Sequence, residues 1–201
     1  MSDAASTMRS MGLGKSISLA GSVVLSVMGT AGVSHAVPLT VCHGYSCTFA
    51  TRLEFGPGDL KSITSIMRGG ASSAAAERNA ISRAVQYYER RATAAIGIRD
   101  RAKGEFAGAR ERGQMDCIDE STNTTSLLEL LESRGLLLHH TVQRKVSRGF
   151  FIDRRYPHFA AVIADRTGER WVVDSWYEPG GGAPDIMPLA RWRTRGVLGE
   201  R

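Results

Sequence analysis

A run of helical patterns followed by a run of strand patterns predicts an α+β domain. Three observations carry this: an apolar stripe at helical spacing from Ala74 to about Lys103, a second amphipathic stretch from Cys117 to about Arg134, and two β-branched runs flanking a Gly-containing turn between His158 and Trp176. At 201 residues the chain is long enough for one domain with a sizeable core and too short for two. No internal repeat or low-complexity tract interrupts it.

Taken in order, the first thirty-six residues read as a secretory signal. Arg9 and Lys15 precede an apolar run from Ile17 to Val33, and Ser34-His35-Ala36 supplies small residues for cleavage. The Gly and Ser content of the run makes a retained membrane anchor the alternative, and no other stretch is long and apolar enough to span a bilayer. A periplasmic or secreted location follows, with membrane attachment only where the segment stays uncleaved.

Residues 37–70 read as an N-terminal extension. Cys42 and Cys47 stand close together in Cys42-His43-Gly44-Tyr45-Ser46-Cys47, so an oxidising compartment should join them and leave Cys117 as the odd thiol. Two sulfurs and His43 fall short of a four-ligand zinc set, and no metal is expected here.

The main domain is expected over 71–201. Ile81, Val85, Tyr88, Ala92, Ala95 and Ile96 form one face of the first helix, with arginines between them. No aromatic residues interleave with those arginines as a single-strand platform requires, so nucleic acid is not the expected partner. The net charge of +6 fits a solvated basic face or an acidic envelope component. Leu127, Leu128, Leu130 and Leu131 give the second helix its buried side, and Gly135 stops it. Leu136 to Val142 reads as a strand, with one of His139 and His140 facing inward. The segments 158–164 and 170–176 form a hairpin, and Gly180-Gly181-Gly182 a loop beyond it. Trp171 and Trp192 are expected to cap the core.

The chemistry centres on Cys117 in Gln114-Met115-Asp116-Cys117-Ile118-Asp119-Glu120. A thiol at a helix N-terminus meets unpaired N–H groups and the positive end of the dipole, both of which favour the thiolate. A hairpin turning about Arg166 and Thr167 sets His158 opposite Asp174, close enough for the carboxylate to orient the imidazole. The trio Cys117, His158 and Asp174 then provides nucleophile, base and orienting acid, with the Cys117 N–H and the Gln114 side chain as oxyanion donors. Trp176 and Tyr177 are candidates to line a substrate cleft. Asp119 and Glu120 complement the helix dipole.

These residues resemble the transglutaminase-like superfamily of papain-like cysteine enzymes: Asp116-Cys117-Ile118-Asp119 ahead of a helix, His158 on one strand, and Asp174 on the next with Gly168 and Trp171 between. The resemblance covers about Gln114 to Trp176. It implies a papain-like α+β fold with N-terminal helices packed on a small antiparallel sheet, and catalysis through a thioester on Cys117 without metal or cofactor. The implied partner is a peptide or protein substrate, with cell-wall peptide plausible by location. A cell-wall peptidase of the other papain-like type and a non-catalytic envelope binding module are the alternatives.

Overall fold

A computed structural model of the protein describes residues 36–104, 106–149 and 157–195. The stretch read as a secretory signal lies, up to residue 35, outside them. The described chain is α+β, with one two-stranded and one four-stranded antiparallel sheet. Among the described residues no helix is long and apolar enough to cross a membrane.

Residues 37–70, expected as an extension, belong to the domain's own core. Strands β1 (Val37–His43) and β2 (Phe49–Phe55) pair from Val37 opposite Phe55 to His43 opposite Phe49. Their alternation buries Val41, Leu53 and Phe55. Helix α1 (Pro57–Arg68) starts with proline at its first position, where a missing N–H costs nothing, and buries Leu60, Ile63 and Met67. Asp59 accepts hydrogen bonds from Tyr87 Oη (2.6 Å) and Arg91 Nε (2.7 Å), which tie α1 to the next helix.

That helix, α2 (Ala74–Ile96), is capped by Ser73, whose hydroxyl accepts from the Ala76 N–H. It ends before the predicted Lys103. Gly97 adopts φ 83° and returns its N–H to the Thr93 carbonyl, a left-handed stop that glycine reaches without steric cost. Helix α3 (Cys117–Ser133) matches its predicted span and lies against β1 and the larger sheet.

The larger sheet runs in the order β3 (His140–Arg148), β4 (His158–Asp165), β5 (Arg170–Asp174), β6 (Asp185–Pro188), and helix α4 (Leu189–Thr194) follows. Strand β3 begins later than predicted. The Glu77 carboxylate draws the N–H groups of Leu138 and His139 out of strand pairing and binds the buried His140 at 2.8 Å. His140 thus serves the α2 to β3 junction, far in role from the thiol.

The predicted hairpin is present in a register shifted by two residues. Ala161 faces Val173, so the turn centres on Thr167, held by the Asp165 carboxylate accepting from the Thr167 and Glu169 N–H groups. A shift of two preserves which face each side chain takes. One face, through Ala161, Ile163 and Val173, joins the main core with Leu127, Leu128 and Leu131 of α3. The other, through Ala160, Val162 and Val172, packs on Leu189 and Trp192 of α4.

Candidate active site

Cys117 is the first residue of α3, 8% exposed, and it stands outside the leucine core of its own helix. Asp116 is the N-cap. Its Oδ1 accepts from the Ile118 and Asp119 N–H groups at 3.1 and 2.9 Å, and Asp119 reaches back to the Asp116 N–H. The Cys117 N–H is left out of this box.

The disulfide loop locks onto the same turn. Cys42 and Cys47 are joined, and Gly44, Tyr45, Ser46 and Cys47 all take positive φ. Left-handed residues in series turn their N–H groups into one concavity, an anion-binding nest. Asp119 fills it, accepting from the Tyr45 N–H at 2.8 Å and the Cys47 N–H at 2.5 Å, while Asp116 Oδ2 accepts from the Ser46 N–H at 3.2 Å. The Gly44 N–H donates to the Gln114 carbonyl at 2.6 Å. Asp119, read from sequence as a dipole partner, is thus the residue that docks the loop. Cys42, Cys47 and Asp119 come close together, but the two sulfurs bond each other and offer no metal ligand.

His158 opens β4 and is 1% exposed. Its Nε2 lies 2.9 Å from Asp174 Oδ2 at the end of β5. An ionised carboxylate only accepts, so Nε2 carries the proton and Nδ1 is the basic nitrogen. Because of the register shift, Asp174 reaches His158 diagonally across the hairpin rather than from the opposing position. Asp174 Oδ2 also accepts from Trp192 Nε1 at 2.7 Å, and Oδ1 from the Trp176 N–H at 3.4 Å. Sequence reasoning missed Trp192: an indole expected to cap the core is a second donor on the Asp174 carboxylate. No local spacing signals it, since the contact is made by α4 folding back over β5.

The imidazole sits among aromatic rings. Trp176, Trp192 and Tyr177 lie 4.9, 5.7 and 6.1 Å from it between ring centroids. Trp176 keeps partial exposure beside His158. Tyr177 is buried instead of lining a cleft, with Arg148 Nη2 donating to its hydroxyl at 2.9 Å and Arg195 over its ring. Arg148 lies opposite His158 on β3, stacks on Trp192 and donates to the Trp192 and Arg195 carbonyls.

The thiol meets β4 at the histidine's backbone. Sγ is 3.9 Å from the Pro157 carbonyl oxygen and receives the Phe159 N–H. No hydrogen bond joins the thiol to the imidazole in this arrangement, whose ring faces α4 while α3 covers the other side of the sheet. Burial pushes the thiol up to about 11, with Asp116 and Asp174 adding repulsion and the Phe159 N–H opposing them. The thiolate that a helix N-terminus was expected to favour is therefore disfavoured in this arrangement. Desolvation and two carboxylates outweigh the helix dipole.

Gln114 is committed elsewhere. Its Oε1 accepts from the Arg101 N–H at 3.2 Å and its Nε2 donates to the Arg99 carbonyl at 3.3 Å, so its side-chain amide holds the 99–101 segment. Beneath α3, Glu120 and Asp100 are buried together, with Glu89 accepting from the Gly181 N–H at 2.7 Å nearby. Burial raises all three carboxyls, Glu89 to about 7.

Comparison of the chain with family models, with curated proteins and with solved structures finds no match.

Proposed function

We propose that the protein is an exported cysteine hydrolase or acyltransferase of transglutaminase-like, papain-like type, acting on peptide or amide bonds. The observation that carries this reading is the buried His158–Asp174 pair, 2.9 Å apart, at the strand end where Cys117 begins a helix. Asp174 holds the Nε2–H, so Nδ1 can take a proton from the thiol. As that proton moves, Cys117 Sγ attacks the acyl carbon, the oxyanion is met by the Cys117 N–H, and the leaving amine departs with the proton from His158. Water or an amine, deprotonated by the same nitrogen, releases the acyl group and regenerates the thiol.

Because the thiol is neutral and held by backbone, proton transfer accompanies attack instead of preceding it. The coupling needs a rearrangement at the start of β4, because the ring packs on α4 while α3 covers the other side of the sheet here, and side-chain rotation alone does not bring Sγ to Nδ1. Catalytic hydrogen bonds commonly tighten only with substrate. The disulfide supports an oxidising compartment, and the cell wall's peptide stems remain the substrate class proposed by location.

A second reading, a non-catalytic envelope binding module of the same fold, draws on the thiol's backbone contacts and raised ionisation point. Labelling with a thiol-directed acylating probe separates the two. Cys117→Ala is expected to abolish adduct formation, and His158→Ala to slow it by about 10²-fold or more, the usual worth of a general base. Equal labelling of the wild type and His158→Ala would favour the binding module.

A further inference from the structure

Asp100 Oδ2, Glu120 Oε2 and Tyr88 Oη are buried without a hydrogen-bond donor or acceptor partner, and all three residues line one cavity of about 20 Å³, room for about one water. Asp100 and Glu120 are 5% and 7% exposed, and Tyr88 1%. Glu120 lies three residues after Cys117, one turn along the same face of α3. Asp100 Oδ1 accepts from the Met115 N–H at 2.7 Å, which leaves the other oxygen for Glu120.

The groups around this pair are almost all acids. Tyr88 and Glu89 face it from α2, Asp119 and Cys117 from α3, and Asp174 from β5. The cations nearby are engaged elsewhere: Arg99 donates to the Gly180 carbonyl, Arg101 pairs with Glu111, and His158 is bonded to Asp174. Two ionised carboxylates buried side by side with no cation between them are strongly disfavoured. One proton between them removes the repulsion and lets one carboxyl donate to the other.

We propose that Asp100 and Glu120 share one proton, and that its presence or loss sets how readily Cys117 ionises, which makes Glu120 a positioning residue for the thiol. With the proton in place the pair carries a single negative charge. Its loss to solvent at alkaline pH places a second charge one helical turn from Sγ, and the thiol holds its own proton more tightly. Ionisation of the thiol is thus permitted while the pair is protonated and resisted once it is not. This inference builds on the reading of Cys117 as the reacting thiol, yet its test needs no substrate, so it can hold or fail apart from acyl transfer.

Cys117 is the free cysteine, which makes alkylation a clean readout. The rate of iodoacetamide addition to the full chain is followed from pH 6 to 10 for wild type, Glu120→Gln and Asp100→Asn, with folding checked by circular dichroism. At pH 6, with the pair's proton in place, the three rates lie closest together. By pH 9 each variant reacts roughly tenfold faster than wild type, a thiol ionising about one pH unit lower. The wild-type profile also departs from a one-proton curve. Superimposable profiles of wild type and either folded variant above pH 8 overturn the proposal. So does a wild-type curve that fits a single proton, the deciding result if both variants fail to fold.

Discussion

Asp174 holds two donors on one oxygen, and the consequences differ for each. His158 Nε2 and Trp192 Nε1 reach Oδ2 at 2.9 and 2.7 Å. Trp192→Phe keeps most of the ring volume and deletes one donor to a buried charge, so it is expected to cost about 1.5–3 kcal/mol in urea denaturation and to slow probe labelling of Cys117. A variant as stable as wild type would mean that the indole only fills space. At this scale, His158 and Asp174 were legible because side-chain parity survives a two-residue error in register. Trp192 was not, because tertiary packing alone brings α4 over the carboxylate. Gln114 was misjudged for a related reason. Its distance from Cys117 in sequence was readable, but the backbone of 99–101 that claims its amide was not.

Between elements, the disulfide loop and the first turn of α3 form one unit. The positive φ values from Gly44 to Cys47 are sparsely populated for residues with a Cβ, and the loop keeps them because the cross-link and two carboxylates hold both sides. Asp119→Asn replaces one acceptor oxygen by an amide that faces the nest's own N–H groups. A loss of about 1.5–3 kcal/mol is expected in denaturant midpoint measurements, with slower Cys117 labelling as the turn loosens. The double substitution Cys42→Ser with Cys47→Ser should cost about 2 kcal/mol, the loop-closure value for so short a bridge. Unchanged labelling in both would separate the loop from the site. Cysteine spacing predicted the bridge, but what it grips was hidden. The strands around it carry alternation at Val37, Leu39 and Val41 and again at Leu53 and Phe55, a signal present in sequence and outweighed by the adjacent leader pattern.

Across the whole molecule, buried carboxyls set the pH response. Burial raises Glu89 to about 7 and Asp119 to about 6, and raises Asp100 and Glu120 as well. The folded chain then binds protons that the unfolded chain has released, so stability falls as pH rises from about 4.5 through 7. Glu77 and Asp59 act oppositely. Burial works against them, but hydrogen bonds from His140 and its neighbours, and from Arg91 and Tyr87, hold both below their ordinary values. Their stabilisation is present above the unfolded values and lost as pH falls below about 4. Thermal unfolding from pH 3 to 9 should peak near pH 5, with Tm at pH 8 lower by at least about 2–4 °C, the change that 1 kcal/mol brings in a domain of this size. A maximum at pH 8 would contradict the burial of these groups. The α+β class was visible in the sequence because long helical stripes and a β-branched hairpin carry strong periodicity. The acidic interior was not, since Glu89, Asp100 and Glu120 are scattered in sequence and meet only when α2, α3 and the connecting loop pack.

The central claim, that Cys117, His158 and Asp174 make and break a thioester, is tested most directly by turnover of p-nitrophenyl acetate with wild type and His158→Ala at pH 7. Wild type should release more than one equivalent of p-nitrophenol while a transient acetyl adduct is found on Cys117 by intact mass, and His158→Ala should fall to background with its fold intact. Release by His158→Ala at the wild-type rate, or an adduct on another residue, would contradict it.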